Sequence, residues 1–150
     1  MDILLILMRL IIVGALGLCV VTDVKSRIIP TSALVVTVGA WVVETLVSSP
    51  VWYVQVAERV ACACAIGFLL IAVAAVYERV RGKQSMGGGD VKLFMVVSML
   101  VGLEQALVVM VLSCVLGLVM ARVWYRGCEY FPLGPAIVVS TYVFLVTQWV

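Results

Sequence analysis

Six apolar runs alternate along the chain with short polar or glycine-rich stretches. The first extends from Ile3 to Val21 and the second from Thr31 to Val47, with Pro30-Thr31-Ser32 as a helix-start signal. A third covers Val60 to Tyr77. Each approaches the roughly 20 residues that a helix needs to cross a bilayer. Val91 to Tyr125 is too long for one crossing, and Gly102-Leu103-Glu104-Gln105 predicts a turn inside it, leaving a short fourth helix and a full fifth. The sixth runs from about Pro135 to Trp149. The expected fold is all-α, a polytopic membrane protein with six transmembrane helices in one embedded domain over residues 1–150.

Composition supports lipid as the solvent. Of the 150 residues, 65% are hydrophobic and 12% charged, where a soluble domain has about half and a quarter. The first run has no basic segment ahead of it and no small-residue cleavage site, so it is read as a retained span. A net charge of +2 gives no reason to expect a nucleic-acid partner. Eight of the ten basic residues (Lys25, Arg27, Arg79, Arg81, Lys83, Lys92, Arg122 and Arg126) fall in the connections after the first, third and fifth helices. Lys and Arg mark the cytoplasmic side, so these connections are expected inside and both termini outside. Arg9 lies near enough to the start of its helix to snorkel outward. A five-span reading, with one tilted helix over Val91 to Tyr125, would put Arg122 and Arg126 outside, against that rule.

There is no histidine, which excludes a Ser-His-Asp triad and a His-ligated zinc site. The five cysteines, Cys19, Cys62, Cys64, Cys114 and Cys128, form no Cys-x-x-Cys pair and read as buried apolar residues. Carboxylates carry the remaining chemistry. Asp23 follows the first helix, in Thr22-Asp23-Val24-Lys25-Ser26-Arg27-Ile28-Ile29-Pro30, and Asp90 heads the fourth, in Met86-Gly87-Gly88-Gly89-Asp90-Val91-Lys92. An even number of crossings separates them, so both lie on one face of the membrane. Two carboxylates brought together repel, and one keeps its proton while the other ionises. That state suits peptide hydrolysis, in which the ionised acid takes a proton from water and the neutral one protonates the scissile carbonyl. Gly87, Gly88 and Gly89 leave room for an extended peptide and permit positive φ. The blander readings are a solvated Asp23 paired with Lys25 or Arg27, and a glycine run that is only a linker.

Gly87-Gly88-Gly89-Asp90-Val91-Lys92 resembles the G-x-G-D-x-K motif of the type IV prepilin peptidases. Asp23 to Pro30 is similar to that family's first motif, and Phe131-Pro132-Leu133-Gly134-Pro135 to the Pro-x-Gly-Pro stretch before its last helix. The resemblance implies a membrane aspartic endopeptidase that removes the short basic leader of prepilin-like proteins at the cytoplasmic face of the cell membrane. It implies Asp23 and Asp90 as the catalytic pair. Gly87, Gly88, Gly89, Lys92, Pro132, Gly134 and Pro135 are implied as substrate-binding or positioning residues. No metal and no cofactor are expected. Long members carry a cytoplasmic insert with paired Cys-x-x-Cys motifs and methylate the new N-terminus. This chain is similar to short peptidase-only forms, those of tight-adherence pili or archaeal filaments, and no N-methyltransferase activity is expected.

Three other readings are weighed against this one. A Ser-Lys dyad would use Ser26 or Ser85 with a lysine whose charge burial suppresses. An intramembrane aspartic protease of the presenilin kind shares G-x-G-D. A non-enzymatic transporter or assembly scaffold would use the two aspartates for a proton or cation. Within the peptidase reading, helix ends assign the roles. Asp90 at a helix N-terminus is expected to ionise first, and Asp23 at a helix C-terminus to hold the proton.

Overall fold

The computed structural model describes residues 2–26, 28–82, 87–124 and 133–149. Among them are six helices and no strand: α1 Asp2–Ser26, α2 Thr31–Ser48, α3 Trp52–Arg81, α4 Gly88–Val101, α5 Leu103–Trp124 and α6 Gly134–Trp149. The count and order match the apolar pattern, and the two largest boundary differences are at the end of α1 and the start of α3. α1 runs past Val21 to Ser26, which places Asp23 inside its last turn. Nothing in Thr22–Ser26 breaks a helix, and the Thr22 hydroxyl bonds back to the Leu18 carbonyl at 2.8 Å. α3 begins at Trp52, eight residues before Val60, because Gln55, Glu58 and Arg59 are tolerated on a helix that starts outside the apolar region.

Four helices contain stretches long and apolar enough to cross a bilayer, Ile3–Ser26, Thr31–Ser48, Trp52–Val80 and Leu103–Met120, and a shorter apolar stretch covers Gly134–Thr147. Their outer faces expose Ile6, Leu10, Phe68, Ile71 and Leu118, which only lipid can cover at low cost. This is a multi-pass membrane protein. α4 is different. Its 14 residues reach about 21 Å, short of the roughly 30 Å hydrocarbon core. It is wrapped by α2, α3, α5 and α6, with Leu93, Phe94, Val97 and Val101 buried. The turn expected at Gly102 narrows to that one residue, whose φ of 92° favours glycine.

Among the described residues α1 packs against α2 and α6 but not against α4. The helices that carry Asp23 and Asp90 therefore face one another with α2 and α6 at the sides. Side chains fill the space below the acids, among them the fully buried Ile12, Leu16, Leu93, Val97 and Ile137. Buried hydroxyls of Thr37, Thr45, Ser113, Ser140 and Thr141 bond to carbonyls one turn earlier, which satisfies them where no water can.

Two long-range polar links were not legible in the sequence. The Tyr142 hydroxyl donates to the Val13 carbonyl at 2.6 Å, tying α6 to α1. Arg9 does not simply snorkel outward: its Nε meets Glu44 Oε1 at 2.8 Å and joins α1 to α2. The reading of the cysteines as buried holds for Cys19, whereas Cys64 and Cys114 are exposed on helix faces and Cys62 is intermediate. Lys83, Ser85, Tyr125, Arg126, Cys128, Tyr130, Phe131 and Pro132 lie outside the described residues.

Candidate active site

Asp23 is not a solvated loop acid. It sits in the last turn of α1 and is only 5% exposed. The Gly134 N–H, at the start of α6, donates to Asp23 Oδ2 at 3.0 Å across 111 residues of sequence. The first turn of α6 closes through Ile137 N–H to the Leu133 carbonyl at 3.1 Å. Leu133 has no side-chain acceptor to cap the helix, and Pro135 has no N–H to offer. Asp23 thus takes the place that a capping side chain usually fills at a helix start. A Cβ on residue 134 would collide with Asp23 Oδ2 and lie 2.9 Å from its Cγ, so the missing side chain is the space the carboxylate occupies.

Asp90 stands in the first turn of α4, ahead of the apolar run that begins at Val91. Its backbone N–H bonds to the Gly87 carbonyl at 3.0 Å. Burial, and secondarily the nearby charge of Asp23, push its carboxyl up to about 6 from an ordinary 3.8. The structure therefore brings the two acids within electrostatic reach at one end of the bundle, as their shared face required.

The glycine run is less special than its sequence implied. Gly87 precedes α4 with φ −69°, and Gly88 and Gly89 belong to the helix. Positive φ among the described glycines occurs at Gly82 and Gly102 only. The positive φ that glycine permits is thus not used at Gly87, Gly88 or Gly89. A side chain on Gly88 would meet nothing within 4 Å, and one on Gly89 would touch Ile29 at 3.4 Å. Lys92 lies two positions beyond Asp90, about 200° around the helix. It forms no ion pair with Asp90 and lines an apolar groove of about 340 Å³ with Thr31, Leu34, Met95 and Met99. Pro135 is buried at the start of α6, and Pro132 is outside the described residues. Ser26 and Lys25 are both exposed, so that pair lacks the burial a lysine base requires.

The profile of the type IV leader peptidase family matches residues 10–122, a stretch that contains both Asp23 and Asp90. The chain belongs to that family. The matched stretch stops before Gly134, so the start of α6 rests on geometry rather than on the family match. Over 58 residues the chain is 41% identical to the prepilin leader peptidase/N-methyltransferase of Vibrio cholerae serotype O1, an alignment covering 37% of this chain and 23% of that protein. The chain thus aligns with less than a quarter of that relative. No solved structure matches it.

Proposed function

We propose that this family member is an aspartic endopeptidase that cuts the basic leader from prepilin-like proteins at the cytoplasmic membrane face. The observation that carries the reading is the convergence of two buried or half-buried carboxyls, Asp23 and Asp90, at one end of an otherwise apolar bundle. Ionisable groups are costly beside lipid and mark function there. Asp23 accepts the α6 N–H, an environment suited to an anion, and is assigned as the base. Asp90, whose burial favours the neutral form, is assigned as the acid. This reverses the roles drawn from helix ends alone.

In the reaction Asp23 takes a proton from water as the water oxygen bonds to the scissile carbonyl carbon. Asp90 gives its proton to the carbonyl oxygen, forming a neutral gem-diol. The proton on Asp23 then passes to the amide nitrogen, the C–N bond breaks, and a diol proton returns to Asp90 as the new carboxyl forms. Water is consumed and the pair regains its starting protonation. Gly88, exposed with open space beside it, is assigned to passage of the substrate backbone. A transporter or scaffold would need the same acids but would break no bond.

The test is purified protein with a prepilin-like peptide and S-adenosylmethionine, read by mass spectrometry. Two fragments with an unmethylated new N-terminus are expected. An intact peptide would refute the peptidase reading, and a fragment heavier by one methyl group would refute the absence of methyl transfer.

Orientation follows from the basic connections. In a cysteine-free version, Lys25→Cys should react with an impermeant thiol reagent only from the cytoplasmic side and Trp52→Cys only from outside. Both side chains are exposed, at opposite ends of the bundle. The reverse pattern would invert the protein in the membrane while leaving both acids on one face.

A further inference from the structure

We infer that Gly134 is a positioning residue for Asp23: its N–H orients the carboxylate, and its lack of a side chain makes the space in which that carboxylate sits. The inference rests on Asp23 being the base, and narrows the expectation that Gly134 is a substrate-binding or positioning residue to the second of these roles, with Asp23 as what it positions.

Three observations converge on it. The Gly134 N–H reaches Asp23 Oδ2 at 3.0 Å in a buried setting. A Cβ at position 134 would run into Oδ2 and approach Cγ to 2.9 Å and Asp23 Cβ to 3.2 Å. The neighbours cannot substitute, because Pro135 has no N–H and Leu133 has no polar side chain. The start of α6 therefore offers Asp23 a donor at Gly134, with no side chain of its own competing for it.

The rest of α6 is held so that this donor stays in place. Tyr142, eight residues on, bonds to Val13 of α1, ten residues before Asp23. The two helices run antiparallel, and at 1.5 Å per residue these intervals are about 12 and 15 Å. α6 is thus pinned to α1 at two levels. The Tyr142 hydroxyl also passes beside Gly17, where a Cβ would lie in ordinary contact with it at 3.5 Å. Ala136, Ile137 and Val138 are at most 1% exposed, so the helix start cannot shift sideways without unpacking. The N–H of another helix meets the carboxylate in the rotamer it adopts.

The consequence is a defect confined to the chemical step. Gly134→Ala displaces the Asp23 carboxylate without removing it, and an error near 1 Å in a catalytic group costs on the order of a hundredfold. Against a prepilin-like peptide, Gly134→Ala is expected to lower kcat about a hundredfold with KM little changed and the protein still monodisperse in detergent. Glycolic acid incorporated at position 134 replaces the N–H by oxygen and adds no side chain. It is expected to lower kcat less than alanine does but measurably, which separates loss of the donor from the collision. In wild-type protein labelled with ¹⁵N-glycine, the Gly134 amide proton is expected far downfield and to move upfield in Asp23→Ala. Wild-type kcat in both variants, or a loss that resides in KM alone, would overturn the inference. So would a Gly134 amide resonance indifferent to Asp23. If the wild-type protein cleaves nothing, the peptidase reading fails while the amide resonance still decides whether Gly134 holds Asp23.

Discussion

Asp23→Asn and Asp90→Asn are each expected to lower cleavage of a prepilin-like peptide by on the order of a thousandfold or more, with the protein still folded in the membrane. The amide keeps the volume and most of the polarity of the acid, so packing around Leu16, Leu93 and Ile137 is undisturbed. What it removes is proton transfer. In Asp23→Asn the side-chain carbonyl oxygen would still accept the Gly134 N–H, and α6 should stay docked. The two losses should not multiply in the double variant, because one proton-transfer unit is disabled by either change. Cleavage within about tenfold of the wild-type rate by either variant would refute the pair. Retained cleavage in Ser26→Ala would agree with the exposed setting of that hydroxyl.

The second large effect is on pH. Asp90 is held near 6, chiefly by burial and then by the charge of Asp23. The active form carries one proton on the pair. That proton is lost as pH rises through about 6, so kcat/KM, which reports the free enzyme, should fall about tenfold per pH unit above that value. The same shift acts on stability. Between its ordinary 3.8 and about 6 the folded protein holds a proton at Asp90 that the unfolded chain has released, so stability should decline as pH rises across that window. Asp90→Asn should remove this decline. An activity profile flat from about pH 5 to 8 would contradict the assignment of Asp90 as the acid. The two limbs of a bell-shaped profile belong to the pair rather than to either residue.

Most of the architecture was legible because lipid leaves the chain few choices. Long apolar runs must be helices, and their ends are marked by Pro30, Gly82 and Gly102. The shared face of Asp23 and Asp90 followed from counting crossings. What stayed hidden depended on which helix neighbours which. Arg9 and Glu44 are 35 residues apart, and neither residue's local sequence points to the other. The roles of the acids were drawn from helix ends, and those ends are where the sequence put them: Asp23 in a last turn, Asp90 in a first. In the proposed reading two effects that only packing supplies reverse the outcome, the burial of Asp90 and the arrival of α6 at Asp23. Gly134-Pro135 did carry a signal, since a helix opening on these two has only the glycine's donor to offer in its first two positions. The glycine run is the opposite case: its sequence suggests more than its backbone uses. Gly88 and Gly89 are ordinary helical residues, so conformational need does not explain them, and open space beside Gly88 is the property that remains.

Infrared spectroscopy of the carboxyl groups tests most directly whether Asp23 and Asp90 share one proton with Asp90 as its holder. In wild-type protein a protonated-carboxyl band should titrate near pH 6. That band should vanish in Asp90→Asn. It should persist in Asp23→Asn at a lower titration midpoint, because burial remains and only the repelling charge is gone. A band that survives in Asp90→Asn and disappears in Asp23→Asn would contradict the assignment.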